Sequence, residues 1–276
     1  MAGGDARSDA REERRNRLRE LVTGEGFVRT ADLAARFGVS VMTVHRDLDA
    51  LQAQGWLRKV RGGASCLPST QFHGSAGERL TTMVRTKQLL ARAAAGELAP
   101  GQVVMIDDST TCLHLVRHLP DHTPVTTISN SLPVISALAR EPGVAVIALG
   151  GTYFPAYDAF MGAHTARSVQ AFRADVLFMS TTAVTGGRCY HMSPETVQVK
   201  QAMMAVAGRR VLIIDHTKFA HQGLYALAPL TDFDLVLVDD AAPAAEVRRL
   251  RDNGVRVRTV ATAAAPSGAP GPHGAM

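Results

Sequence analysis

The sequence predicts an α/β chain of two units: a small helical unit ending in a basic hairpin, then a larger unit built on a mainly parallel sheet. Three observations carry this. The chain has 276 residues, more than one core usually organises. Residues 14–64 have their own apolar stripes, and the stretch that follows holds Pro68, Ser69, Thr70, Gly74 and Ser75, a linker composition. From residue 85 onward, short apolar runs alternate with amphipathic stretches, the pattern of βαβ units. The expected organisation is a loose segment at 1–13, the first unit at 14–64, a linker at 65–84, the second unit at 85–261 and a disordered tail at 262–276.

Composition narrows the class. Hydrophobic residues make up 46% of the chain and aromatic residues only 5%, with Trp56 the single tryptophan, so the cores rest on Val, Leu, Ile and Ala. No apolar run approaches the ~20 residues of a membrane span, and the charged N-terminus has no secretion pattern. Cys66, Cys112 and Cys189 stand far apart and form neither a disulfide framework nor a metal spacing. A cytoplasmic protein is expected. The net charge of +5 mildly favours an anionic partner.

In the first unit, Leu18, Leu21 and Val22 mark a helix face and Phe27-Val28-Arg29 a short strand. Thr30 is read as the N-cap of a second helix, with Leu33, Ala34 and Phe37 inward and Gly38 as its stop. Ser40 caps a third helix whose buried stripe is Val41, Val44, Leu48 and Leu51. Met42, Thr43, His45, Arg46 and Asp49 lie off that stripe. Two helices joined by a Gly-containing turn make a helix-turn-helix, whose second helix enters the DNA major groove. Leu57-Arg58-Lys59-Val60-Arg61-Gly62-Gly63 then reads as a hairpin wing whose cations neutralise phosphates or enter the minor groove. The expected DNA-contacting set is Ser40, Met42, Thr43, His45, Arg46, Lys59 and Arg61. Asp47 is acidic and is assigned to a nearby Arg of the same unit.

In the second unit, strands are expected at 103–106, 125–128, 144–149, 176–179, 211–214, 235–238 and 255–260. Helices are expected at 87–98, 112–118, 132–140, 163–172, 194–207 and 243–253. Polar groups collect where these strands end. Asp107-Asp108-Ser109-Thr110-Thr111 follows one strand and opens a helix, offering hydroxyls and free N–H groups to an anion. Ser129-Asn130-Ser131, Gly150-Gly151 and Asp215-His216-Thr217-Lys218 follow others. Carboxyl ends of parallel strands are where such sheets bind ligands. Simple N-capping explains the first motif taken alone; the companions argue for a site. His114, His118 and His122 have helical spacing but too few converging ligands for a metal. Met203 and Met204 read as helix core.

These motifs resemble the DeoR family of transcriptional regulators. The stretch Leu33-Ala34-Ala35-Arg36-Phe37-Gly38-Val39-Ser40-Val41-Met42-Thr43-Val44-His45-Arg46-Asp47-Leu48 is similar to that family's reader signature, with His45 where the family usually has Arg. Leu57 to Ala64 is similar to its wing. From about Arg85 to Val260 the chain resembles the family's sensor domain, whose fold is similar to ribose-5-phosphate isomerase. Asp107 to Thr111, Thr127 to Ser131, Leu149-Gly150-Gly151 and Asp215 to Phe219 match its motifs. Asp108 stands where many members have a small residue, and Phe178 to Thr182 departs from the usual Gly-containing turn.

The resemblance implies a repressor whose affinity for a double-stranded operator responds to a phosphorylated sugar. Phosphate is expected on Ser109, Thr110 and Thr111, helped by Lys87 or Lys218. The remaining effector contacts are expected from Asp107, Asn130, Gly150, Gly151, Glu195, Lys200 and Asp215. No catalytic residue, cofactor or metal is assigned, and a homodimer or tetramer is expected because such readers bind paired half-sites. Two other readings stand beside this one. A carboxylate and a Lys flanking a sugar are also the parts of a sugar-phosphate isomerase. An activator with no small ligand is the third.

Overall fold

The computed structural model of the chain describes residues 5–53, 56–66 and 76–262. The expected tail from 263 and part of the expected linker, 67–75, lie outside the described residues.

Helix α1 (Asp5–Glu25) begins well before residue 14. The sequence from Asp5 to Arg17 is rich in Arg and Glu and has no apolar stripe, and the first inward residues are Leu18 and Val22. Next come β1 (Phe27–Arg29), α2 (Thr30–Phe37), α3 (Val41–Ala53), β2 (Leu57–Val60) and β3 (Gly63–Cys66). The three strands form one antiparallel sheet in the order β1-β3-β2. Leu18, Val22, Leu33, Val44 and Leu48 are fully buried together under Leu57 and Ala64.

Thr30 is not a cap. It is the first residue of α2, is buried, and spends its backbone N–H on the Gly62 carbonyl at 3.0 Å. Sheet pairing through the wing takes over what the cap was expected to do. Gly38 does end α2, in the left-handed conformation at φ 63°. The two wing glycines have different jobs. Gly62 supplies a positive φ of 82°, whereas a Cβ on Gly63 would lie 2.3 Å from the Val28 carbonyl oxygen.

The second unit opens with α4 (Ala76–Thr81), inside the expected linker, and α5 (Val84–Ala95). Its centre is a seven-stranded sheet. In chain order the strands are β4 (Val103–Ile106), β5 (Val125–Ser129), β6 (Val144–Ala148), the β7–β8 hairpin (Thr152–Phe154, Ala159–Met161), β9 (Ala174–Met179), β10 (Ala183–Thr185), β11 (Arg188–His191), β12 (Ala207–Ile214), β13 (Tyr225–Pro229), β14 (Leu235–Asp239) and β15 (Val257–Val260). The large sheet runs β15-β14-β12-β9-β4-β5-β6, and every pairing is parallel. A smaller antiparallel sheet, β10-β11-β13, was not expected, nor was the β7–β8 hairpin.

Helices cover both faces of the large sheet. Val104, Ile106, Val176, Phe178, Val211 and Ile213 face α5. Met105, Leu177, Met179, Leu212 and Ile214 face the other way, toward α8 (Pro194–Val206). Burial on both faces is why these strands read as unbroken apolar runs. Met203 and Met204 are buried in that second layer, as expected. Helices α6 (Leu132–Leu138), α7 (Ala163–Val169) and α9 (Ala244–Asp252) complete the layers. The helix expected at 112–118 is a longer 3-10 helix, Cys112–His122, with Pro120 inside it and thus one backbone donor missing.

The strand order places the functional question. Chain order runs one way from β4 through β5 to β6, and the other way from β9 to β15. Adjacent β4 and β9 therefore mark the switch point, where a crevice opens at their carboxyl ends. Phe178 has no exposed surface and lies between the two halves of this arrangement. Phe178→Ala is expected to cost about 3–5 kcal/mol, read as an earlier sensor-unit transition in denaturant melts followed by circular dichroism.

Candidate functional site

The first candidate surface is the exposed face of α3 with the wing. Ser40 Oγ accepts the Thr43 backbone N–H at 3.1 Å, so the helix start is capped as expected. Met42 is 62% exposed and Arg46 is exposed too, while Thr43 and His45 are half-buried beside them. Arg61 is exposed at the wing turn. Lys59 differs: its ammonium pairs with Asp49 of α3 at 2.5 Å, tying wing to helix. Asp47 is 2% exposed and is gripped by Arg14 Nε at 2.7 Å and Arg15 Nε at 3.0 Å, the intramolecular pairing expected of it.

The second candidate is the crevice between β4 and β9, a cleft that opens to solvent. Its walls are Arg79, Asp108 to Thr111, Ser180 to Thr182, His191, Lys200 and Lys218. A neighbouring recess shares Arg79 and Lys218 with it and adds Thr82, Met83, Lys87, Asp215, Thr217 and His221.

Asp107 shapes the cleft without opening onto it. Its Oδ1 accepts the Ser109 N–H at 3.0 Å and the Ser109 hydroxyl at 2.5 Å. Its Oδ2 accepts the Ser180 N–H at 2.8 Å and the Lys200 ammonium. Lys200 is 1% exposed; it also meets Asp108 Oδ1 at 3.2 Å and donates to the Ser180 carbonyl at 3.2 Å. Burial opposes its charge, but Asp107 and Asp108 outweigh burial and hold its pKa above the ordinary lysine value. The same balance applies to Asp108. Burial would raise its pKa, and Lys200, His191 and Arg79 together bring it below normal, so an ionised carboxylate faces the cleft.

Lys87 is the unusual group. It is 3% exposed, donates to the Arg79 carbonyl and to Thr110 Oγ1 at 3.2 Å, and has no carboxylate within ion-pair distance among the described residues. Burial, then the charge of Lys218, lower its pKa to about 8 against the pull of Asp215. Burial also lowers Lys218, whose ammonium stands 3.8 Å from Asp215 Oδ2. Asp215 Oδ1 is already taken by the backbone and hydroxyl of Thr217. Cationic groups thus outnumber the free carboxylate beside the Thr110 hydroxyl. Ser180 Oγ is buried at the cleft wall without a hydrogen-bond partner.

The structure therefore gathers Lys87, Ser109, Thr110, Thr111, Asp215 and Lys218, with Asp107 and Lys200 behind them. It does not bring Asn130, Gly150, Gly151 or Glu195 to either recess. Asn130 donates its amide to the Phe160 carbonyl at 2.9 Å and so anchors the β7–β8 hairpin. Gly151, at φ 149°, makes room for Thr165, since a Cβ there would sit 2.0 Å from Thr165 Oγ1; Thr165 in turn donates to the Gly150 carbonyl. Glu195 accepts the Ser193 hydroxyl at 2.8 Å at the start of α8. Arg79, Asp108, Ser180 and His191 were not in the expected set. Arg79 lay in what read as linker, and His191 on a strand that had gone unnoticed. The Gly186-Gly187 pair, both at positive φ, is the hairpin signal that marks that strand. No cluster of His, Cys, Asp and Glu fit for a metal occurs among the described residues, including around His114 and His118.

Comparison with known proteins settles the family. Residues 14–70 match the model of a DeoR-like helix-turn-helix domain, and residues 82–240 that of the DeoR C-terminal sensor domain. This chain belongs to the DeoR family. It is a DNA-binding transcriptional regulator with a reader and a sensor domain. It is 30% identical over 260 residues to the putative aga operon transcriptional repressor of Escherichia coli O157:H7, covering 93% of this chain and 96% of that one. It is 26% identical to the glycerol-3-phosphate regulon repressor of Escherichia coli K12, covering 89% and 97%. Ribose 5-phosphate isomerase A from Neisseria gonorrhoeae is similar at a TM-score of 0.36 and 16% identity, over 50% of this chain and 55% of that one. No helix among the described residues is long and apolar enough to cross a membrane.

Removing Lys200 strands two buried carboxylates. Lys200→Met is expected to cost about 3–5 kcal/mol at neutral pH. Without the ammonium the two buried carboxylates lose their counter-charge, and protonation relieves them. The deficit against the parent should therefore shrink as pH falls from 8 to 5, measured by denaturant melts at each pH.

Proposed function

We propose that this DeoR-family chain is a repressor whose operator affinity is set by a phosphorylated sugar held in the β4–β9 cleft. The observation that carries this is Lys87. A buried ammonium without a carboxylate is costly unless something anionic completes it. Arg79 and Lys218 stand around the same recess, and Thr110 offers a hydroxyl already in contact with Lys87. A phosphate on Thr110 and Thr111 would meet Lys87 and Lys218 together, with a 3-10 helix start beneath it. Asp108, Ser180 and His191, which also line the cleft, suit the hydroxyls of a sugar. The relative named for the glycerol-3-phosphate regulon supports a phosphorylated effector, and the relatives named as repressors support repression.

On the DNA side, Met42, Thr43, His45 and Arg46 would face base edges, with Arg61 on phosphate; Lys59, already paired, contributes by holding the wing. Paired half-sites call for a homodimer or tetramer, which sedimentation of the full chain decides. A coupled assay is expected to find no steady turnover of pentose or hexose phosphates.

Calorimetry against a panel of phosphorylated sugars tests the site. Thr110→Val with Thr111→Val keeps shape and removes two donors. Each lost charge-assisted bond is worth ~1.5–3 kcal/mol, about tenfold to hundredfold in affinity. Operator binding without effector should survive in that double variant. Unchanged effector affinity would place the phosphate elsewhere.

Affinity should also depend on pH. A phosphate monoester is mainly dianionic above about pH 6, so its own charge is constant from 7 to 9. Lys87, with its pKa near 8, loses its charge across that interval. Affinity is expected to fall as pH rises from 7 to 9, and Lys87→Met should bind weakly with a flatter profile.

Arg46→Ala is expected to weaken operator binding with the sensor melt unchanged. Arg61→Ala should lower the salt slope of binding more than the sequence preference.

A further inference from the structure

The reader and the sensor meet at one aromatic side chain. Trp56 follows α3 and packs on the reader core beside Leu51 and Leu57. The same indole packs against Ala156, Tyr157, Ala159 and Met161 of the sensor's β7–β8 hairpin. Its backbone N–H caps the recognition helix, donating to the Leu51 carbonyl at 2.9 Å, and the Arg19 guanidinium lies 4.3 Å over its ring. A shift of this indole therefore acts on α3 and α1 at once.

Behind it stands Tyr157, 4% exposed. Its ring is 5.5 Å from the Arg79 guanidinium and 6.1 Å from the His191 ring. Both Arg79 and His191 line the cleft. The Arg79 carbonyl also receives the Lys87 ammonium, so the segment that carries Arg79 is tied to the cation left without a carboxylate. Just before it, the Ala76 N–H is bonded to the Ala156 carbonyl at 2.9 Å. Every contact from Lys87 to the recognition helix is thus a packed or hydrogen-bonded one.

We infer that occupancy of the cleft is transmitted to the DNA reader through Arg79 and His191, then Tyr157 and the β7–β8 hairpin, to Trp56. This rests on the reading of the cleft as an anion site and adds the route by which that site governs DNA binding. An anion at Lys87 draws the Arg79 guanidinium toward the cleft. Tyr157 loses a cation over its ring, the hairpin repacks, and Trp56 carries the change into α3. Coupling of this kind needs a bistable contact whose two arrangements the ligand distinguishes.

Trp56 is the only tryptophan in the chain, so indole emission comes from this side chain alone. The full chain is titrated with inorganic phosphate, with binding read by calorimetry and Trp56 by selective indole emission. The expected result is an emission shift that saturates with the calorimetric midpoint. Tyr157→Phe should keep that shift. Tyr157→Ala, or Tyr157→Leu should the alanine variant not fold, should still give phosphate heat and lose the shift. Phosphate binding without an emission change in the parent overturns the relay, as does a shift that persists in Tyr157→Ala. A chain that gives no phosphate heat refutes the anion reading instead, and the relay is then judged without ligand. Thr110→Glu places a carboxylate beside Lys87 from within, with Thr110→Gln as its neutral control. Different Trp56 emission in the two variants upholds the relay; identical emission overturns it.

Discussion

A buried ammonium between two aspartates holds the sensor together. Lys200 reaches from α8 to the carboxyl end of β4, where Asp107 and Asp108 stand, and to the carboxyl end of β9 through the Ser180 carbonyl. Those are the two strands at which the winding direction of the sheet reverses. An open parallel sheet splits its loops apart at such a point: the ladder pairs the two strands up to Ile106 and Phe178, and the loops beyond must be held by side chains. Lys200 and Asp107 hold them, because each would be stranded in an apolar layer if the other moved away. Asp107 then spends its remaining lone pairs on the amide and hydroxyl of Ser109, which turns the Ser-Thr-Thr run toward the crevice. The shape of the site is a consequence of satisfying one buried carboxylate.

The same pairing decides the charge that the cleft presents. Lys200 offsets only one of the two charges of Asp107 and Asp108, so the trio keeps one net negative charge, carried to the cleft wall by Asp108. Lys87 and Lys218 are left with Asp215, whose Oδ1 is already committed to Thr217. A site built this way is under-neutralised by design of its packing rather than by an excess of basic residues on the surface. Burial lowers both lysines, so the unliganded cleft carries strain in the form of poorly solvated charge. An anion relieves it, and relief of strain is a difference between two states, which is what a sensor must supply.

The sequence revealed some of this and hid the rest for physical reasons. The large-sheet strands were legible because burial on both faces makes them continuous apolar runs, and the reader was legible because Gly38, Ser40 and the Gly62-Gly63 turn fall in a fixed order. The antiparallel sheet was missed because Ala183-Val184-Thr185 and Arg188 to His191 are too short to show alternation. Asn130 and Gly150-Gly151 were assigned to the effector because all polar strand ends look alike in a sequence. Only the spatial order of strands distinguishes them: β5 and β6 lie beyond β4, so their ends fall outside the switch-point crevice. That order is not written in any local motif. Arg79 was hidden for a different reason, since it sits in a short helix next to a linker and acquires its role only by folding over the cleft.

The energy available to such a regulator is modest, and the geometry matches it. Allosteric coupling free energies are typically about 1–3 kcal/mol. One charge-assisted hydrogen bond gained in one state and absent in the other is of the same size. On the proposed reading the cleft needs no large conformational change to control DNA affinity. It needs one contact that cannot be made equally well in both arrangements of the domains, and a shared side chain through which the mismatch is felt. On the proposed reading Lys87 supplies the first, having no carboxylate within ion-pair distance among the described residues. Trp56 supplies the second, because it is counted in the packing of both units and neither can repack it without disturbing the other.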